Sequence, residues 1–473
     1  MTRPVVVMDV VGLTPALLRG MPRLRALAGS GTSASLETVL PAVTCSVQAT
    51  LLTGTLPRTH GIVANGWFFR DLGEVFLWRQ SNALVQGDKV WDHARRVAPG
   101  FRVANLCWWY ALGAATDVVL TPRPIYHADG RKSPDCYTRP AQLHDELERR
   151  LGPFPLFSYW GANAGIASSQ WIAAAARYVL DTSRPDLALV YLPHLDYDLQ
   201  RYGPGSPEAS AAARAVDEVA GLLADAARER DAAVVVLSEY VITAASQPVD
   251  VNRALRREGL LEVSTQGGME YLDPHTSRAF AVADHQVAHV YVRHPGDVGR
   301  VAALLSELPG VAQVLDEQGK RAAGLDHERS GELVLVADPH AWFTYYYWLD
   351  DARAPDFART VDIHRKPGYD PAELFFDPAD RFVKARAGLA LARKRAGLRY
   401  TLDVVPLDPS CVKGTHGRLP DDRDDGPVFL CSEPLGRDHV AATEVRDLLL
   451  ALAGLDPPSR TGPHVRQDSA RPH

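Results

Sequence analysis

Short apolar runs alternate with amphipathic stretches from Val5 to Tyr240. Pro4 to Met8, Leu187 to Leu192 and Ala232 to Leu237 are uninterrupted apolar runs, the signature of strands buried on both faces of a parallel sheet. Between them lie segments of helical period: Arg23 to Gly29, Val47 to Leu52, Val90 to Arg96, Ala141 to Arg150, Ser168 to Leu180 and Ser206 to Glu229. Ala34 to Leu40 and Arg102 to Cys107 are strand-like, and Pro122 to Thr138 is polar and proline-containing, as in a long surface loop. Strand and helix in alternation predict an α/β fold with a doubly wound, mostly parallel sheet.

From Phe280 the rhythm changes. Val287 to Val292, Gly310 to Leu315 and Glu332 to Ala337 predict strands, with a helix over Val298 to Leu308. These form a small α+β layer attached to the main sheet. The expected organisation is a main α/β domain over 1–280, an attached cap-like segment over 281–400, a return to the main domain over 401–456 and a disordered tail over 457–473. The last helix is expected over Glu444 to Leu452, capped by Thr443.

Composition changes this picture little. With 473 residues, 46% hydrophobic and 23% charged, the chain is of ordinary globular make-up. A net charge of −6, from 51 basic and 57 acidic residues, argues against nucleic-acid polymers and anionic membranes as partners. The five cysteines are scattered without a CxxC pair, so neither a disulfide framework nor a thiolate zinc site is indicated. Asp9 interrupts the N-terminal apolar run before a signal segment forms, and no run reaches membrane-spanning length. The expected location is cytoplasmic, and the oligomeric state is left open.

Candidate chemistry gathers at strand ends and loop junctions. Asp9 ends the first strand, Asp196 follows the Leu187 run, and Glu239 and Tyr240 follow the Ala232 run. These are the places where active-site residues of open parallel sheets collect. Thr44 stands at a loop-to-helix junction, where free backbone N–H groups favour an anion. Taken alone it reads as a helix N-cap. His416 lies in the loop Gly414-Thr415-His416-Gly417, and Asn65-Gly66 marks a turn.

Taken in order, these motifs resemble the type I phosphodiesterase/nucleotide pyrophosphatase branch of the alkaline phosphatase superfamily. The resemblance rests on the early strand Asp9, on Thr44 followed by a helix and Thr53-Gly54, and on Pro57-Arg58-Thr59-His60-Gly61-Ile62. It continues through Asp196 ahead of Tyr202-Gly203-Pro204 to the late Gly414-Thr415-His416-Gly417. It implies a sheet of alkaline-phosphatase type and a metal-dependent phosphoric ester hydrolase acting on a small-molecule phosphoester. Thr44 would be the covalent nucleophile and Asn65 a hydrogen-bond donor to the phosphoryl group. Two divalent ions, zinc in most such proteins, would flank Thr44: one on Asp9, Thr44 and the acid Glu239, the other on Asp196 and His416. A phosphonate hydrolase, a phosphoryl-transfer enzyme or a non-catalytic phospho-ligand binder are the alternatives.

Two positions depart from the family pattern. Gln200 and Tyr240 stand where that family carries metal-binding histidines, and neither is a good zinc ligand. Three readings are compatible with this. The site holds a harder ion such as manganese or magnesium; neighbours such as His194, Asp198, Asp284 or His285 substitute; or one metal site is lost. His289 reads as a satisfied core histidine and His60 as a loop organiser. Arg365 and Lys366 face phosphate or solvent. Trp67, Phe68 and Tyr346 are candidates for a stacking surface, with packing as the simpler role.

Overall fold

The Val5–Val10 strand lies at the centre of a nine-stranded sheet. Leu187–Leu192 pairs with it in parallel on one side and Ala233–Leu237 in parallel on the other. All three are wholly buried, and Val5–Val10 and Ala233–Leu237 are rich in valine. Val103–Leu106 and Val118–Pro122 extend the sheet in parallel beyond Leu187–Leu192. On the far side, Val428–Cys431 runs antiparallel between Ala233–Leu237 and Thr32–Glu37. The computed structural model of the protein describes residues 2–128, 132–395, 397 and 402–458. Most of the expected tail lies outside them.

Helices Ile166–Thr182 and Pro207–Arg228 pack on each other and on the central strands. The second buries Ala209, Ala212, Ala213, Val216, Ala220, Leu223 and Ala227 at helical spacing. This small-residue stripe lets the helix axis approach its neighbours closely.

Ala279–Asp284, Val287–Val292, Leu333–Ala337 and Val311–Leu315 form a second, four-stranded antiparallel sheet. The first two make a hairpin closed by His285 and Gln286, with His285 at a left-handed φ of 57°. The helix Thr44–Thr53 joins the two cores. Its Val47, Leu51 and Leu52 belong to the core of the large sheet, and its Cys45 and Ala49 to that of the small one.

Several expectations need correction. The helix begins at Thr44, and the cap position is Val43, so the Thr44 hydroxyl is not a cap. Thr443 likewise lies inside the helix Ala442–Leu452, whose cap position is Ala441. The stretch after Leu192 is a helix, His194–Tyr202. The expected loop over Pro122 to Thr138 includes the edge strand Cys136–Arg139. The strand Ala279–Asp284, absent from the expectation, completes the second sheet. No helix among the described residues is long and apolar enough to cross a membrane.

Candidate active site

The three central strands deliver Asp9, Asp196 and Glu239 to one end of the large sheet. Asp9 sits in the last turn of pleat of Val5–Val10, opposite Leu237 and Tyr191. Asp196 is in the first turn of His194–Tyr202, and Glu239 lies just past Leu237. Thr44 opens its helix with its backbone N–H groups at the positive end of the dipole.

His416 arrives from far along the chain and is pinned from three sides. Its Nδ1–H donates to the Ala42 carbonyl at 2.8 Å, the Ala42 N–H donates to the Gly417 carbonyl at 2.8 Å, and the Gln286 N–H donates to the His416 carbonyl at 2.8 Å. The loop also crosses the Asp196 helix, where the Lys413 N–H donates to the Gln200 carbonyl at 2.9 Å. A side chain at Gly414 would meet the Leu199 carbonyl oxygen at 2.2 Å, so only glycine permits this crossing.

A hydrogen-bonded chain runs through the centre of the site. The Thr44 and Tyr240 hydroxyls are 3.2 Å apart, and Tyr240 donates to Asp196 Oδ1 at 3.3 Å. Gln200 Nε2 donates to Asp196 Oδ2 at 2.8 Å, and the Tyr369 hydroxyl donates to Gln200 Oε1 at 3.1 Å. The Tyr240 ring lies parallel to His416, centroids 3.6 Å apart and planes at 4°. His285 covers the other face of His416 at 3.6 Å, and Tyr369 stacks on His285 at 3.8 Å.

Asp9 and Glu239 lie beneath this layer with no exposed surface. Gln48, one helical turn after Thr44, donates Nε2 to Asp9 Oδ2 at 3.0 Å and accepts the Trp109 N–H at 2.8 Å. Among the described residues no donor is in hydrogen-bonding geometry with Asp9 Oδ1 or with either oxygen of Glu239, although Gln48 and Asp9 lie close enough to Glu239 to influence it. Burial pushes the Asp9 carboxyl up to about 7. Burial also raises Glu239 well above the usual carboxylate range, with the Asp9 charge adding to it. Burial lifts Asp196 to about 7 against the pull of its Gln200 and Tyr240 hydrogen bonds, and lowers His416 to about 3. His416 is therefore a neutral imidazole whose Nδ1–H is spent on Ala42, leaving the Nε2 lone pair as its donor.

Thr44, Asp196, Gln200, Tyr240, His285 and His416 form the floor of a cavity of about 420 Å³. Its walls carry Trp78, Trp109, Trp160, Phe157, Tyr126 and Tyr369. Asp9, Glu239 and Asn65 are not among the lining residues. Asn65 is locked behind the floor: its Oδ1 accepts the Cys45 N–H at 2.9 Å, and Asp284 accepts its backbone and side-chain N–H groups.

The structure redistributes several suggested roles. Asp284 is engaged by Asn65 through both oxygens, and Asp198 pairs with Arg201 at 3.1 Å. His194 does not line the cavity. Lys366, expected to face phosphate or solvent, is buried against Asp370 at 2.7 Å and Glu373 at 2.8 Å. Trp67 and Tyr346 are core residues, and Phe68 packs edge-on against Phe280 and Tyr291. The aromatic walls come instead from Trp78, Trp109 and Trp160. His289 is a satisfied core histidine between the Val63 carbonyl and the Gly331 N–H, and His60 organises its loop through Thr50 and the Ile62 N–H. Sequence reasoning passed over Gln48 and Tyr369, and named Asp284 only as a substitute ligand and not as the partner of Asn65. Only Gln48 carried a local signal, as a polar residue one turn from Thr44 and the one side-chain amide of its helix.

The donor set divides in its fitness for metal. Asp9, Glu239 and Thr44 offer oxygen ligands with unpartnered lone pairs, suited to a hard divalent cation. Around Asp196 both carboxylate oxygens already accept hydrogen bonds from neutral side chains, and the residues beside it are an amide and a phenol.

Comparison with known proteins agrees with this architecture. The solved structure of phosphonoacetate hydrolase from Sinorhizobium meliloti superposes with a TM-score of 0.61 over 96% of each chain, at 17% identity. Murine ectonucleotide pyrophosphatase/phosphodiesterase 5, solved as an inactive threonine-to-alanine form with AMP, gives a TM-score of 0.59 over 98% of each chain, at 16% identity. An uncharacterized pyrophosphatase/phosphodiesterase of Schizosaccharomyces pombe is 24% identical over 209 residues, 40% of this chain but only 33% of that relative's length. Residues 5–370 match the model of the type I phosphodiesterase/nucleotide pyrophosphatase family. The chain belongs to that family of phosphoester hydrolases.

Proposed function

We propose that this protein hydrolyses a phosphoric ester of a bulky, flat or aromatic alcohol, with Thr44 as the nucleophile. The observation that carries the reading is the Thr44 hydroxyl on the floor of an aromatic-walled cavity, at the positive end of its own helix. That position favours the anionic phosphoryl group. The walls favour an organic leaving group, and about 420 Å³ is the size of an ordinary small-molecule pocket. The murine neighbour, inactive as a threonine-to-alanine form and bound to AMP, supports a threonine nucleophile and an ester of this kind.

In the reaction the Thr44 oxygen bonds to phosphorus as the bond to the leaving alcohol breaks. Water then releases phosphate, or a phosphomonoester if the substrate is a diester, and restores the hydroxyl. A divalent ion held by Asp9, Glu239 and Thr44 would lower the proton affinity of the Thr44 hydroxyl and offset phosphoryl charge. Zinc, manganese and magnesium are the candidates, and the oxygen-rich set favours the last two. The chain's own residues do the rest. The Thr44 helix places the hydroxyl, and the packed rings of Tyr240, His416 and His285 exclude water from the floor. Asn65, behind the floor, holds the Cys45 N–H and so fixes the first turn of the Thr44 helix.

The test is hydrolysis of bis(p-nitrophenyl) phosphate and p-nitrophenyl phosphate under added manganese, magnesium or zinc, by the wild-type protein and by Thr44→Ala. Turnover that disappears in the variant supports the reading, and turnover that survives it overturns it. A second reading is a phospho-ligand binder without turnover, favoured by the contact of the Tyr240 hydroxyl with Thr44. It predicts that nucleoside monophosphates bind while no ester is hydrolysed under any of the three ions.

A further inference from the structure

We infer that this protein holds one divalent cation, on Asp9, Glu239 and Thr44, and that Tyr240 and Gln200 close the position a second would take. The inference rests on the hydrolase reading above for the identity of the site, and adds to it the number and place of the ion. It starts from the unequal state of the buried carboxylates. Asp9 and Glu239 have no exposed surface, yet three of their four oxygens meet no donor. Burying carboxylate oxygens unpartnered is costly, and a cation between them removes the cost.

Asp196 is in the opposite condition. Its Oδ2 accepts from Gln200 Nε2 at 2.8 Å and its Oδ1 from the Tyr240 hydroxyl at 3.3 Å. The Gln200 carbonyl oxygen, the one atom of that amide able to ligate, is turned away to accept from Tyr369 at 3.1 Å. A cation on Asp196 would have to expel two hydrogen bonds and reverse the amide. It would find a phenol and an amide where imidazoles serve elsewhere in the family.

The Tyr240 ring completes the closure. Its hydroxyl touches both Thr44 and Asp196, so it lies between the nucleophile and the carboxylate. Its face is stacked on His416 at 3.6 Å, and His285 and Tyr369 continue the stack. Asp196 and His416 thus belong to a hydrogen-bonded, ring-packed wall, while Asp9 and Glu239 form a two-carboxylate seat matched in charge to one divalent ion.

The experiment is metal stoichiometry of the full chain after saturation with manganese chloride and removal of excess, read by mass spectrometry of the metal and by electron paramagnetic resonance. Wild-type protein is expected to retain about one manganese ion per chain with a mononuclear spectrum. Glu239→Gln should lose that ion, whereas Asp196→Asn should keep it. The double variant Tyr240→His with Gln200→His should take up a second ion and show exchange coupling. Two ions in the wild-type protein, no ion, or loss of the ion in Asp196→Asn overturns the inference. If the double variant fails to fold, the contrast between Glu239→Gln and Asp196→Asn still decides. Survival of turnover in Thr44→Ala would sink the hydrolase reading without altering the stoichiometry, so the two failures are distinguishable.

Discussion

Asp284 accepts two hydrogen bonds from Asn65, the backbone N–H at Oδ2 (2.8 Å) and the side-chain Nδ2–H at Oδ1 (3.0 Å). The hairpin of the small sheet thereby holds a residue that in turn accepts the Cys45 N–H beside Thr44, at 2.9 Å. Asp284 thus fixes Asn65, and through it the N–H of Cys45.

A double-mutant cycle tests this. Asn65→Ala and Asp284→Ala should each lower kcat/KM by about 100-fold, the scale of a misplacement of about 1 Å at the reacting group. Together they should cost little more than either alone, because both remove the same arrangement. Fully additive losses would separate the two residues.

The Asp9 and Glu239 pair predicts how metal and pH combine. Burial raises both carboxyls above their unfolded values, Asp9 to about 7. In metal-free protein the folded state therefore binds more protons than the unfolded chain between the two values. The associated stability is complete below the unfolded pKa and is lost as pH rises toward and through 7, at about 1.4 kcal/mol per pH unit for each proton difference. A divalent ion competes with those protons. Its gain in Tm under saturating manganese should be larger at pH 8 than at pH 5.5, and Glu239→Gln should flatten the difference. Equal gains at both pH values would place the ion elsewhere.

Lys366 predicts a stability effect remote from the chemistry. Its Nζ bridges Asp370 and Glu373, and all three side chains are at most 2% exposed. Glu373 also accepts the Trp160 indole N–H at 2.6 Å, which ties the trio to the cavity wall. Lys366→Met leaves two buried carboxylates without their cation, a loss of about 3–5 kcal/mol. Thermal unfolding should show the drop, deeper at pH 8 than at pH 5.5 because burial raises the Glu373 carboxyl and protonation relieves it at the lower pH. A Tm within a degree of wild type would refute this account.

Much of the fold was legible because strands buried on both faces leave continuous apolar runs. Leu187–Leu192 and Val287–Val292 coincide residue for residue with the expectation. His194–Tyr202 was not seen as a helix because its residues are largely polar and its buried face gives only Leu195 and Leu199 to the core, the rest being site groups. Asp9, Thr44, Asp196, Glu239 and His416 could be nominated one by one from strand ends and loops. Their geometry could not, since Tyr240 touches Thr44 and Asp196 from 196 and 44 positions away. The partnership of Asp284 with Asn65, 219 positions apart, is equally invisible to any local pattern. The aromatic walls were misassigned for the same reason. Trp67 and Trp78 flank one hairpin, yet only the latter reaches the cavity.

The tightest backbone crossing in the site yields the last prediction. Gly414 passes so close to the Asp196 helix that a Cβ there would stand 2.2 Å from the Leu199 carbonyl oxygen and 2.8 Å from an Ile242 methyl. A side-chain tip can rotate aside, but a helix carbonyl moves only with its helix. Gly414→Ala must therefore push the loop of His416 away from His194–Tyr202, which carries Asp196 and Gln200. Overpacking of this kind costs about 1–3 kcal/mol. The Lys413 hydrogen bond to Gln200 would be strained by the same movement. The expected result is a lowered Tm together with a larger fall in kcat than in substrate affinity, because the floor is displaced while the aromatic walls remain. Gly417, at a φ of 125°, is a second sensitive position in this loop. Gly205, with nothing within 4 Å of its would-be Cβ, is the control at which alanine should leave both Tm and turnover unchanged.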